Sequence, residues 1–181
     1  MDNSKMSIIN NLIQINCIKK GKFILKSGET SEYYFDMKNI ISDPKLLSKI
    51  GDEMYKLIKD CDILCGVPYG GLPICTYIST KYNIPMIMPR TKEKKYGTQK
   101  QIEGTFKSTD RCVIIEDVIT TGSSVNEIID LLHDKINVIQ VVAILDRQEN
   151  HKCKCDTTAV IYKSDILHSS ILFNNNKKNN K

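Results

Sequence analysis

Short, almost wholly apolar runs alternate with helical stretches along this 181-residue chain, which predicts an α/β protein with a parallel sheet covered by helices on both sides. Two observations carry that expectation. The runs at 63–67, 84–88, 112–115 and 138–145 are too continuously apolar for a sheet with one wet face. The stretches between them place apolar residues at helical spacing behind recognisable start signals. Composition agrees: 41% hydrophobic and 26% charged residues suit a soluble globular protein, and 20.6 kDa gives room for a real core.

Taken in order, the first forty residues stand outside the alternation, with a short amphipathic helix and then Tyr33-Tyr34-Phe35. Asp43-Pro44 predicts a helix start, Asp as cap and Pro at the first helical position, followed by Leu46, Leu47, Ile50, Met54, Leu57 and Ile58 on one face. Residues 63–67 read as a buried strand ending in the turn Pro68-Tyr69-Gly70-Gly71. A helix over 72–82 and a strand over 84–88 follow. Residues 90–104 carry many charges and no apolar period, so they are expected to form a functional or disordered loop. After the strand at 112–115, Ser124-Val125-Asn126-Glu127 reads as a capping box, with Val125, Ile128, Ile129 and Leu132 facing inward. The strand at 138–145, a fifth at 159–162 and a short helix from Ser164-Asp165 complete the order. One domain over 1–173 is expected, with 174–181 a disordered Asn/Lys tail.

The net charge of +5 is local rather than spread over a face. Residues 174–181 contribute +3 and residues 90–100 contribute +4, leaving −2 for the rest. That distribution argues against nucleic-acid binding. Nothing approaches a membrane-spanning run, and the N-terminus lacks signal-peptide features. Seven irregularly spaced cysteines, several inside apolar runs, read as buried thiols in a cytoplasmic protein rather than a disulfide framework. The segment His151-Lys152-Cys153-Lys154-Cys155 reads as a solvated loop rather than a zinc site, and His133 and His168 as helical residues outside the chemistry.

The chemistry concentrates in the segment from Cys112 to Ser124. A buried strand delivers Glu116 and Asp117 at its C-terminal end, where open α/β sheets bind ligands. Thr120-Thr121-Gly122-Ser123-Ser124 then offers backbone N–H groups, hydroxyls and a helix N-terminus to one phosphate. The dipole alone supplies only ~0.3–1 kcal/mol, so converging hydrogen bonds must do most of the binding. Carboxylates beside a phosphate site suit hydroxyl groups or a divalent cation on the same ligand. A Walker loop and a GxGxxG fingerprint are both absent, which argues against nucleotide triphosphatases and dinucleotide enzymes. On spacing alone, a plain strand, turn and capped helix with solvated acids is the competing reading.

This segment resembles the phosphoribosyl-pyrophosphate (PRPP) signature of type I phosphoribosyltransferases, and the chain around it resembles the orotate-specific family. The resemblance runs roughly from Phe23 to Leu172. It includes Leu25-Lys26-Ser27-Gly28, Tyr33-Tyr34-Phe35-Asp36, Gly66-Val67-Pro68-Tyr69-Gly70-Gly71-Leu72-Pro73, Lys94-Lys95-Tyr96-Gly97-Thr98, Ile102-Glu103-Gly104 and Leu145-Asp146-Arg147-Gln148-Glu149. It implies a mainly parallel sheet flanked by helices, with residues 1–40 contributing a small hood. The implied reaction moves 5-phosphoribosyl from PRPP to orotate with Mg2+, giving orotidine 5′-monophosphate and pyrophosphate for UMP synthesis. The resemblance also implies a homodimer whose loop crosses to the neighbouring subunit, and leaves open a separate orotidylate decarboxylase as partner.

Roles carry over residue by residue. Thr120, Thr121, Gly122, Ser123 and Ser124 would hold the 5′-phosphate, with Val118 and Ile119 leading into them. Glu116 and Asp117 would face the ribose hydroxyls and the developing positive charge. Arg90, Thr91, Lys94 and Tyr96 would close over pyrophosphate, with Lys94 and Asp117 the catalytic pair. Tyr69 and Gly70 fall in the pyrophosphate turn. Lys26, Tyr34, Phe35, Thr120 and Arg147 would receive orotate, Lys26 also contacting PRPP near its pyrophosphate and Arg147 gripping the orotate carboxylate in bidentate fashion. Mg2+ would be held mainly by PRPP, with Asp117 the one candidate side chain. Three positions depart from the family pattern: Gly70 stands where many relatives carry lysine, Thr91 where a second basic residue is usual, and Tyr96 where bacterial relatives often carry histidine. A phosphoribosyltransferase for another base and a PRPP-sensing regulator are the alternative functions.

Overall fold

The structure is a computed structural model that describes residues 3–24, 28, 30–90, 101–147 and 152–168. A six-stranded sheet forms its centre: β3 (Ile63–Gly66), β4 (Met86–Pro89), β5 (Ile102–Glu103), β6 (Arg111–Ile119), β7 (Asn137–Asp146) and β8 (Thr157–Tyr162). Their spatial order is β5-β4-β3-β6-β7-β8. Every pairing is parallel except that of β4 with the short edge strand β5.

Both faces of the sheet are buried, as the continuous apolar runs require. Val113 and Ile115 of β6, with Val142 and Ile144 of β7, point into one core. Helices α1 (Asn3–Gln14), α2 (Pro44–Tyr55) and α3 (Gly71–Tyr82) cover that core through Ile8, Leu12, Ile50, Met54, Ile74 and Ile78, among others. The alternate residues Cys112, Ile114, Val141 and Ala143 face the opposite core, closed by Val125 and Leu132 of α4 (Ser123–Leu132). A last short helix, α5 (Lys163–His168), buries Ile166. All seven cysteines are free thiols; Cys17, Cys65, Cys75 and Cys112 are buried.

The Asp43-Pro44 start is present as read: the Asp43 carboxylate accepts from the N–H groups of Lys45 and Leu46. Other expectations need correction. Strand β6 continues beyond 115 to Ile119, because β7 extends alongside it and pairs Glu116 with Ala143 and Val118 with Leu145. The two acids therefore lie within the strand. The capping box is not formed. Helix α4 starts at Ser123 behind Gly122, whose φ of 81° is left-handed, and no side chain caps it. Within the charged stretch at 90–104, Ile102 and Glu103 pair with β4, and Arg90 N–H donates to the carbonyl of Gln101 at 2.8 Å.

The N-terminal segment contains two further strands that the sequence reading did not separate. β1 (Ile18–Ile24) and β2 (Thr30–Phe35) form an antiparallel pair outside the main sheet. A 3-10 helix (Met37–Ser42) then leads to α2. The segment is continuous with the main core: Ile8, Ile9, Leu12, Tyr33, Met37 and Ile40 are buried in the same cluster as Val142 and Ile161.

Candidate active site

The candidate site lies at the C-terminal edge of β3, β6 and β7, where each strand passes into a loop. Val113 and Ile115 of β6 pack into the core that also holds Met37 and Ile40 of the 3-10 helix, and Asp117 follows them toward the end of the strand. Glu116, its neighbour, is only 4% exposed. Its Oε1 accepts the N–H of Asp117 at 2.8 Å. Burial pushes the Glu116 carboxyl well above the ordinary range, and a hydrogen bond with the Asp117 carboxylate adds to the rise. The acid pair is therefore divided, with Glu116 held toward its protonated form beneath the surface. This burial removes the reading of two solvated acids.

Asp117 is half-buried and its Oδ1 accepts the N–H of Val118 at 2.9 Å. Its carboxylate lies against the turn that follows β3. A Cβ added to Gly70 would stand 2.0 Å from Asp117 Oδ2, and one added to Gly71 would stand 2.3 Å from the carbonyl oxygen of Ile115. The two glycines thus let the turn pack directly onto the end of β6. The Pro68–Tyr69 peptide of this turn is cis, and Tyr69 is 71% exposed.

Lys38, on the 3-10 helix, was not singled out from the sequence. Its Nζ donates to Asp36 Oδ1 at 3.1 Å. Partial burial works against the ammonium, but the Asp36 hydrogen bond and the field of Asp117 outweigh it and raise its pKa. A cation thus faces the acids from the N-terminal segment. No local signal marks it, because the pairing depends on the 3-10 helix packing against β6.

The phosphate-type loop follows β6. Thr121, Ser123 and Ser124 are exposed, Thr120 is half-buried, and the hydroxyls of Thr121 and Ser123 lie 2.8 Å apart. Gly122 offers α4 no side-chain cap; of the first-turn N–H groups, that of Ser123 donates to Thr121 Oγ1 at 3.4 Å, and such a helix start suits an anionic ligand.

Arg147 follows β7 and is 8% exposed, its N–H bonded to the carbonyl of Ile119 at 3.0 Å. Its guanidinium lies 5.6 Å from the centre of the Phe35 ring. Phe35 stacks in turn with buried Tyr33 at 6.2 Å. Tyr34 takes the opposite face of β2, 41% exposed, 5.4 Å from Phe23. The structure thus brings Phe35, rather than Tyr34, to Arg147.

Arg90 pairs with Glu103 across the ends of the charged segment, and its buried Nε has no acceptor among the described residues. Lys26, Thr91, Lys94 and Tyr96 lie outside the described residues. A cleft of ≈ 540 Å³ lined by Ile15, Asn39, Ser42, Asp43, Pro44 and Lys45 contains none of the predicted site residues. Among the described residues, no group of three or more His, Cys, Asp or Glu side chains is arranged to hold a metal. None of their helices is long and apolar enough to cross a membrane.

A mainly parallel sheet whose central strand carries an acid pair into a hydroxyl-rich loop is the arrangement that the resemblance to phosphoribosyltransferases implies. The model of the phosphoribosyl transferase domain matches residues 36–174, and the chain belongs to that family. Among its relatives it is similar to the orotate phosphoribosyltransferase of Methanocaldococcus jannaschii, 39% identical over 82% of this chain and 85% of that protein. It is also similar to uridine 5′-monophosphate synthase of Bos taurus, 33% identical over 92% of this chain, and it spans only 36% of that longer protein. The crystal structure of orotate phosphoribosyltransferase from Aeropyrum pernix superimposes with a TM-score of 0.79 at 26% identity, over 90% of this chain and 97% of that one.

Proposed function

We propose that this chain transfers the 5-phosphoribosyl group of PRPP to N1 of orotate, releasing pyrophosphate and forming orotidine 5′-monophosphate. The observation that carries the reading is the buried Arg147 guanidinium over the Phe35 ring, with the Arg147 N–H bonded to the carbonyl of Ile119, the residue that leads into the phosphate-type loop. Orotate is a planar anion with a carboxylate, and it needs a forked cation beside a flat apolar wall.

In this scheme the hydroxyls and N–H groups of residues 120–124 hold the 5′-phosphate and fix the ribose. Asp117 faces the ribose hydroxyls and the positive charge that develops as the bond to pyrophosphate breaks. Burial favours the protonated form of Glu116, which keeps a second negative charge out of the buried site. Lys94 meets the leaving pyrophosphate, helped by Arg90, Thr91 and Tyr96, while Tyr69 and the N–H of Gly70 line the turn beneath it. A homodimer belongs to the same proposal, with that segment closing from the neighbouring subunit, and such closure would exclude water. The donor set suits Mg2+ carried in on the substrate, since that ion keeps water and takes one or two carboxylates plus phosphate oxygens. Asp117 is the side chain that would touch it, and the ion would neutralise charge on the pyrophosphate. A cytoplasmic location and a separate decarboxylase that consumes the product complete the proposal.

The test is spectroscopic. Orotate absorbance should fall when protein, PRPP and Mg2+ are combined. Arg147→Ala should raise the KM for orotate about a hundredfold while leaving ribose 5-phosphate binding unchanged. Bound PRPP with no loss of absorbance would favour a PRPP-binding regulator. Unchanged orotate kinetics in Arg147→Ala would favour a different base.

A further inference from the structure

Residues 152–154 are strapped across the back of the phosphate-type loop, and one side chain of α4, that of Asn126, binds their backbone at two points. Asn126 Nδ2 donates to the carbonyl of Lys152 at 2.7 Å, and its Oδ1 accepts the N–H of Lys154 at 2.9 Å. One partner is an acceptor and the other a donor, so the orientation of the amide is fixed by its partners. Asn126 is itself tied to the loop, its N–H donating to the carbonyl of Gly122 at 2.9 Å. The strap makes its own bond to the loop as well, from the N–H of Lys152 to the carbonyl of Thr121 at 3.4 Å. Lys154 pairs with Asp130 one turn further along α4.

Between the two prongs of this clamp, Cys153 is pressed against Gly122. A Cβ on Gly122 would lie 2.7 Å from Cys153 Sγ and 3.5 Å from its backbone nitrogen. Gly122 is the residue whose left-handed φ of 81° turns the chain from β6 into α4. Glycine has the widest backbone freedom of any residue, so an unsupported Gly122 would spread the loop over several conformations. The strap removes that freedom from behind and leaves the hydroxyl face of Thr121, Ser123 and Ser124 exposed.

We propose that Asn126 is a positioning residue for the 5′-phosphate subsite, seating Cys153 behind Gly122 so that the loop is preorganised for a phosphate. The proposal rests on reading residues 120–124 as that subsite. A ligand that binds only the ordered loop loses affinity in proportion to the fraction of chains in which the loop is ordered. Removing both prongs is expected to lower that fraction to about a tenth.

The experiment compares wild type with Asn126→Ala by calorimetric titration with ribose 5-phosphate and by steady-state kinetics. Asn126→Ala should raise the Kd for ribose 5-phosphate and the KM for PRPP about tenfold. The KM for orotate and kcat at saturating PRPP should stay within about twofold, a split that general loosening of the fold would not produce. Cys153→Ala leaves the clamp in place and opens the space behind Gly122, so a smaller rise of about threefold in the same Kd is expected. That variant carries the test if Asn126→Ala does not fold. Wild-type binding with unchanged Kd in the folded variants overturns the role of Asn126 alone. A parallel fall in kcat and both affinities overturns it equally. Absence of ribose 5-phosphate binding by the wild type overturns the subsite reading, and this inference with it.

Discussion

Substituting Gly70 by alanine should separate what the Pro68–Gly71 turn does for stability from what it does for chemistry. Gly70 has φ −69° and ψ −35°, a conformation alanine adopts freely, so backbone strain plays no part. The whole effect is steric: the new Cβ would lie 2.0 Å from Asp117 Oδ2 and 2.2 Å from its carboxyl carbon. Ordinary contact needs roughly 3.5 Å, so the carboxylate must move by about 1.5 Å. A side-chain end can do that by rotating, at about 1 kcal/mol for a poorer rotamer and about 1 kcal/mol for the bond to Val118 N–H. Misplacing a group that must meet the ribose by about that distance costs on the order of a hundredfold in rate. Gly70→Ala should therefore lower kcat/KM for PRPP about thirty- to hundredfold while Tm falls by only a few degrees. Gly71→Ala is the contrasting control. Its Cβ meets the Ile115 carbonyl of β6 at 2.3 Å, and a central strand cannot step aside, so a loss of about 3 kcal/mol or more in urea unfolding is expected. Full PRPP activity in Gly70→Ala would refute the placement of Asp117 at the reacting sugar. Easy tolerance of Gly71→Ala would refute the packing of the turn on β6.

Two further substitutions test the electrostatics and the frame. The Glu116 pKa is raised by burial, so the folded state binds the proton more tightly than the unfolded chain. The protonated side chain is fully favourable below the unfolded carboxyl pKa, and stability is lost as pH rises from there through the folded pKa. Glu116→Gln should flatten that decline as pH rises above the ordinary carboxyl range, measured by urea unfolding at several pH values; an unchanged slope would show that Glu116 is not the titrating group. Gln140 is buried, accepts the N–H of Lys59 at 2.9 Å and donates to the carbonyl of Leu57 at 3.0 Å. Gln140→Ala leaves both groups unpaired and should cost about 2 kcal/mol, or about 4–8 °C in Tm by calorimetry; a neutral result would mean that water replaces the amide freely.

Apart from β5, the strands and helices from α2 to β8 were legible because each buries a periodic or continuous apolar set, and burial on both faces is written in local composition. The β1–β2 pair was not. Lys19, Lys20 and Lys22 are exposed, and only Ile18 of β1 is buried, so no alternation announces a strand. Ile102-Glu103 becomes a strand only because β4 offers it an edge. The capping box failed for a related reason: its motif is local, whereas the helix start follows Gly122, which Cys153 supports from behind.

The candidate site divides along the same line. Order along the chain was enough to place two acids before a hydroxyl-rich loop, and an arginine at the end of a later strand, because those residues share one continuous strand–loop–helix unit or its repeat. Packing alone decided that Glu116 is buried and Asp117 is not, that Gly70 lies under the Asp117 carboxylate, that Lys38 faces the pair, and that Arg147 meets Phe35 from 112 positions away. Such relations depend on register between strands and on close contact between distant segments. Neighbouring residue types carry no information about either until the sheet has formed.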